Sequence, residues 1–126
     1  SEGNDVTIIE TGHLVWEALQ AAEQLEEKGI SAEVINIHTI KPLDEEAILK
    51  SVKKTRCVVT AEEHNFLGGL GESVARTLTL NFPAPQEFVA TQDTFGESGT
   101  PEDLMDKYGL NAEAIIKATQ RVLKRK

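Results

Sequence analysis

Cysteine is almost missing from this chain: Cys57 is the single one in 126 residues. An internal disulfide and a cysteine-based zinc site are thereby excluded, and such usage fits a reducing compartment. Aromatic residues are scarce at 5%, and Trp16 and the four phenylalanines are too scattered for a stacking platform. No apolar run approaches the roughly 20 residues that span a bilayer, and the N-terminus lacks the basic region and apolar stretch of a signal peptide. The expected address is the cytoplasm. Cations are in deficit, 13 Lys and Arg against 21 Asp and Glu, and the net charge of -8 would repel a nucleic-acid backbone or an anionic membrane. The basic cluster Lys117, Arg121, Lys124, Arg125 and Lys126 falls at the end of an expected helix, where cations oppose the negative end of the dipole.

What is present is ordinary globular composition, 40% hydrophobic and 27% charged, at a length suited to one domain with one core. Val6 to Glu10 reads as a strand, and Thr11 and Gly12 as the turn into a helix over His13 to Lys28. Leu14, Val15, Ala18, Leu19, Ala22 and Leu25 form its apolar stripe, Glu17 falls among the polar positions, and Gly29 ends it. Glu33 to Ile37 is a second strand. Asp44 caps a helix with Glu45 and Glu46 in its first turn and Ala47, Ile48 and Val52 toward the sheet. Cys57 to Ala61 is near-continuously apolar, the pattern of a strand covered on both faces. A third helix follows Gly68, Gly69 and Gly71 to about Leu80, and a fourth strand lies near Glu87 to Ala90. Thr100 with Pro101 and Asp103 opens a short helix that Tyr108 and Gly109 close, and Asn111 caps a last one.

This alternation predicts an α/β fold in three layers: a mostly parallel sheet of four or five strands, helices on both faces and right-handed crossovers. The polar Ser1 to Asp5 stretch enters the first strand at once, as expected if the chain begins at a domain boundary. Ligands in such folds bind beyond the carboxyl ends of strands, here Glu10 to His13, Glu62 to Gly71 and Thr91 to Thr100.

The middle loop carries the most chemistry. Gly68, Gly69 and Gly71 ahead of a helix could cradle an anion, but they match neither the dinucleotide fingerprint nor a P-loop, and glycines more often serve the turn alone. Glu62, Glu63 and His64 could be drawn as metal ligands or as an acid and base pair. Neighbouring strand residues point to opposite sides, which favours hydrogen bonding at an interdomain or subunit interface instead. The candidate interface is Glu62, Glu63, His64, Asn65, Phe66, Leu67, Gly68, Gly69, Leu70 and Gly71, with packing of these apolar side chains into the domain's own core as the rival reading. His13 and His38 have no partner fixed by spacing. Ser73 and Ser98 lack a nucleophile elbow, and Cys57 in a buried strand is expected to be inert. No catalytic, cofactor-binding or metal-binding residue is assigned.

Three blocks carry a family resemblance. Asp5-Val-Thr-Ile-Ile-Glu-Thr-Gly-His13, the Thr39-Ile-Lys-Pro-Leu-Asp44 block, and Glu62-Glu-His64 ahead of Gly68-Gly-Leu-Gly71 are similar to the C-terminal domain of transketolase and its thiamine-diphosphate relatives. Asp93-Thr-Phe-Gly-Glu-Ser-Gly-Thr-Pro101, then Leu104 and Tyr108-Gly-Leu110, most resembles transketolases split into two subunits. The β subunits of 2-oxo acid dehydrogenases and deoxyxylulose-phosphate synthase are the alternatives within the superfamily.

The resemblance implies a single domain, residues 1–126, excised from a longer subunit. Its parent would be a dimeric or split-subunit ketol transferase of the pentose phosphate pathway. Thiamine diphosphate and a divalent metal would be held by the parent's other domains and none by this one. The partners would be the remaining transketolase domains or subunit, with no nucleic acid and no membrane. Residues 93–100 would form a surface loop packed on another domain. A response-regulator receiver is excluded because the third strand ends Thr60, Ala61, Glu62 with no phosphoacceptor aspartate; a small nucleotide-binding module is the remaining alternative.

Overall fold

The computed structural model describes residues 3–38, 42–63, 69–91 and 101–126, except for the side chains of His13 and of residues 101–108. Strands β1 (Val6–Thr11), β2 (Ala32–Ile37), β3 (Val58–Glu63) and β4 (Gln86–Thr91) form one wholly parallel sheet in the order β2-β1-β3-β4. Four strands are therefore present among the described residues. A 3-10 turn, Gly12–Leu14, leads into α1 (Val15–Glu27), and α2 (Glu45–Thr55), α3 (Leu70–Asn81) and α4 (Pro101–Arg125) complete the order.

Two cores lie on the two faces of the sheet. Val6, Ile8, Val59, Ala61 and Val89 meet Ala18, Ala21 and Leu25 of α1 and Ala112, Ile115 and Val122 of α4. On the other face Ile9, Ile37 and Val58 meet Ile48 and Val52 of α2 and Leu70, Val74 and Leu78 of α3. The chain steps one way from β1 to β2 and the other way through β3 to β4, so crossovers of a single hand must place α1 opposite α2 and α3. Every residue of β3 is buried, as expected of its near-continuously apolar first part, and the burial extends to Glu62 and Glu63.

Local signals act as expected at several ends. The Asp44 carboxylate accepts from the Ala47 N–H at 3.1 Å, and Gly29 adopts φ +82° after α1. Arg56 takes the same left-handed conformation, φ 69°, after α2, where no glycine marks the stop.

Two expectations are corrected. First, the α1 stripe is rotated: Glu17 and Ala21 are fully buried, whereas Leu19 is 40% exposed, and Ala47 of α2 is only half-buried. Second, residues 101–125 form one helix of 25 residues, not two. Gly109 does not stop it, because Asn111, Ala112, Ile115 and Ile116 continue the buried stripe and packing outweighs the cost of one mid-helix glycine, roughly 1 kcal/mol. A Cβ at Gly109 would meet nothing within 4 Å. Gly109→Ala is therefore expected to stabilise the domain by about 0.5–1 kcal/mol in urea denaturation, and destabilisation would instead indicate a helix break. The capping role of Thr100 lies outside the described residues.

Candidate functional site at the carboxyl edge of the sheet

The reversal of strand order falls between β1 and β3, and the crevice beyond their carboxyl ends is where open α/β sheets place ligands. Glu10 stands one residue before the end of β1, and Glu63 ends β3. Register pairs Glu10 with Asn36 of β2 and Ala61 of β3, and Glu63 with Thr91 of β4. Strand alternation sets Asn36, Glu10, Glu63 and Thr91 on the face covered by α1 and α4, and Glu62 on the other.

Glu62 is only 4% exposed, and its work is internal. Its carboxylate accepts from the backbone N–H of Gly71 at 2.8 Å and, more weakly, of Leu70 at 3.3 Å. A carboxylate at a helix N-terminus meets both unpaired amides and the positive dipole end. The anion cradle suggested by the glycines is thus filled by the chain's own carboxylate. Gly71 is required there for space: a Cβ would lie 2.5 Å from a Phe88 ring carbon and 3.0 Å from Glu62 Oε2.

On the α1 side lies a group of buried acids. Glu10 and Glu17 are fully buried and Glu63 is 4% exposed. Among the described residues, both carboxyl oxygens of Glu10 and of Glu17, Oε1 of Glu63 and Oδ1 of Asn36 have no hydrogen-bond partner. Burial first, and the Glu17 charge second, push the Glu10 carboxyl up to about 8. Burial likewise raises Glu17, with the Glu63 charge adding to it. The backbone amide of Glu17 pulls the other way, though it lies outside hydrogen-bonding geometry. Glu10, so shifted, can hold a proton at neutral pH, and the other buried oxygens can accept from donors brought to them. Among the described residues no group of three or more His, Cys, Asp and Glu is arranged to hold a metal ion.

Of the candidate interface residues, Glu62 and Gly71 are thus engaged inside the domain, and Leu70 is fully buried in the α2 and α3 core. For Leu70 the rival reading, packing into its own core, is the one realised. Glu63 faces the acid group, Gly69 is half-buried, and residues 64–68 lie outside the described set, as do residues 93–100. Cys57 is buried, burial pushes its thiol up, and its Sγ donates to the Asp5 carbonyl at 3.3 Å, a setting that disfavours reactivity. The basic cluster is exposed, and Arg121 and Arg125 pair with Glu87 at 2.9 and 2.6 Å.

The sequence reading missed Glu10 and Glu17. Both carried a signal: Glu10 continues the inward alternation of Val6 and Ile8, and Glu17 stands at helical spacing from Leu14 and Ala21.

Comparison with known proteins decides the family. The family described as transketolase, C-terminal domain, matches residues 1–115. This chain belongs to that family. The transketolase C-terminal domain seen here is 51% identical over 125 residues to the 6-deoxy-6-sulfo-D-fructose transketolase subunit of Clostridium sp. (strain MSTE9), covering 99% of this chain and 39% of that protein. It is 40% identical to an apulose-4-phosphate transketolase subunit of Phocaeicola vulgatus, covering 98% of this chain and again 39% of the relative. Among solved structures, a split-gene transketolase described as an inactive beta4 tetramer superposes with a TM-score of 0.81 at 46% identity, over 98% of this chain and 40% of that one. The chain thus spans about two fifths of the length of these relatives, and the parallel sheet with helices on both faces is a transketolase C-terminal domain fold.

Proposed function

We propose that this chain is the C-terminal, non-catalytic domain of a two-subunit transketolase, supporting assembly of an enzyme that moves a two-carbon ketol unit from a ketose to an aldose. The observation that carries this reading is the 46% identity to a split-gene transketolase across 98% of the chain. The two named relatives act on a sulfonated and on a phosphorylated sugar, so the substrate class extends beyond pentose phosphates to ketoses with an anionic tail. Thiamine diphosphate and its metal belong to the parent's other domains. This domain contributes no group to the reacting atoms. Its partners are those domains and a second copy of the subunit, with residues 64–69 and Glu63 as the remaining part of the contact.

Calorimetry on the isolated domain with thiamine diphosphate and magnesium is expected to be flat, and a saturable stoichiometric heat would refute the division of roles. In the assembled parent, Leu67→Asp is expected to weaken subunit association and to lower activity through lost assembly, while the isolated domain stays folded. Unfolding of the domain, or unchanged association in ultracentrifugation, would assign the segment to the fold alone.

A further inference from the structure

The acids at the strand-order reversal are an expensive arrangement, and of them the assembly role uses only Glu63. Glu10 from β1, Glu63 from β3 and Glu17 from α1 bring buried carboxyls to one end of the α1 core, Glu17 within electrostatic reach of the other two, together with the Asn36 oxygen of β2, which is unpartnered among the described residues. All these unpartnered atoms are acceptors. A buried set of acceptors without donors is unstable if ionised, because each charge loses its hydration and repels the next.

The surroundings supply no counter-charge among the described residues. On α1 the remaining charged side chains, Glu23, Glu26, Glu27 and Lys28, reach solvent. On β2, Glu33 points to the other face and pairs with Lys54, and on β3, Glu62 is turned to α3. β4 offers Thr91, whose hydroxyl donates to the Glu62 carbonyl, and Glu87, which is held by Arg121 and Arg125 at the far end. On α4, Asn111 is buried and neutral, while Glu113, Lys117, Arg121, Lys124 and Arg125 are exposed. His13, His64 and the side chains of 101–108 are outside the described set.

We propose that Glu10, Glu17 and Glu63 form a proton-operated clasp, in which protons held on Glu10 and Glu17 keep the first half of α1 seated on the sheet, and release of those protons to solvent drives it off. α1 carries the exposed Trp16 and Leu19 on its outer side, so the clasp controls the setting of that surface too. The sign follows from linkage. Glu10 is raised in the fold from 4.5 to about 8, so between these values the folded chain binds more protons than the unfolded one. Its contribution is complete below pH 4.5 and is lost as pH rises through about 8.

The test is a carboxyl carbon titration by NMR on the 126-residue chain labelled at glutamate, with and without magnesium. Glu10 is expected to titrate at about pH 8 in both conditions, with Glu17 displaced upward from the ordinary carboxylate range. Titration of Glu10 below about pH 5.5, or a fall below that value on adding magnesium alone, overturns the proposal. A second measurement is amide exchange. After correction for the intrinsic base-catalysed rate, protection over residues 15–25 is expected to drop by about tenfold or more between about pH 7 and pH 9, while α3 is unchanged. Glu10→Gln with Glu17→Gln should abolish that drop, and the same drop in this variant would overturn the clasp. If the double variant does not fold, the titration of the unaltered chain decides alone.

Discussion

Replacing Ile8 and Ile9 together by alanine is expected to unfold the domain or leave it near its midpoint in water. The two are adjacent on the central strand β1, both fully buried, and they enter different cores: Ile8 meets the α1 and α4 layer, Ile9 the α2 and α3 layer. Truncating a buried isoleucine to alanine costs about 2–5 kcal/mol, through lost transfer free energy and the cavity left behind. Because the side chains share no partners, the losses should add, reaching about 4–10 kcal/mol against a typical stability of about 5–15 kcal/mol. Urea denaturation of the two single variants and the double variant measures this. A double loss smaller than the sum by more than about 1 kcal/mol would mean that the sheet does not separate two independent cores.

The second large effect is expected at Glu62. Glu62→Ala removes a carboxylate that satisfies the Gly71 amide at 2.8 Å and leaves that buried N–H without an acceptor. Lost charge-assisted hydrogen bonding, the unpaired donor and the lost dipole interaction together put the cost at about 2–4 kcal/mol. Glu62→Gln should recover only part, since it keeps an acceptor oxygen but no charge. The neighbouring Glu63 is the control. Its Oε1 has no donor, so Glu63→Gln is expected to be neutral or stabilising. Equal losses at the two positions in urea would contradict the opposite settings of these adjacent glutamates.

Much of the architecture is legible locally. The near-continuous apolar run from Cys57 to Ala61 announces a strand covered on both faces, and the strand and helix alternation announces a parallel sheet. Asp44 and Gly29 act through their own backbone neighbours, which is why they can be read without knowing the fold. Tyr108-Gly109 misleads because a glycine is a strong local signal, whereas continuation of α4 depends on Ala112, Ile115 and Ile116 finding a long-range partner layer. The polar wealth from Glu62 onward is plain in the sequence, and alternation turns Glu62 and Glu63 to opposite faces, but nothing local tells what each one meets there. Their roles depend on which amides α3 brings to Glu62 and which acids α1 brings to Glu63.

What the sequence determined by itself was the class of fold, the absence of disulfide chemistry and, through its motif blocks, the transketolase C-terminal family. Each of these rests on residues near one another in the chain or on composition. The tertiary structure alone decided that Leu70 is core, that Glu62 itself closes the helix N-terminus where the glycines could have cradled an anion, and that Glu17 is buried within electrostatic reach of Glu10 and Glu63. The physical reason is that burial and charge proximity arise from residues far apart in sequence. A glutamate at a polar helix position and one at a strand end become a shared electrostatic problem only when α1 folds back over β1 and β3.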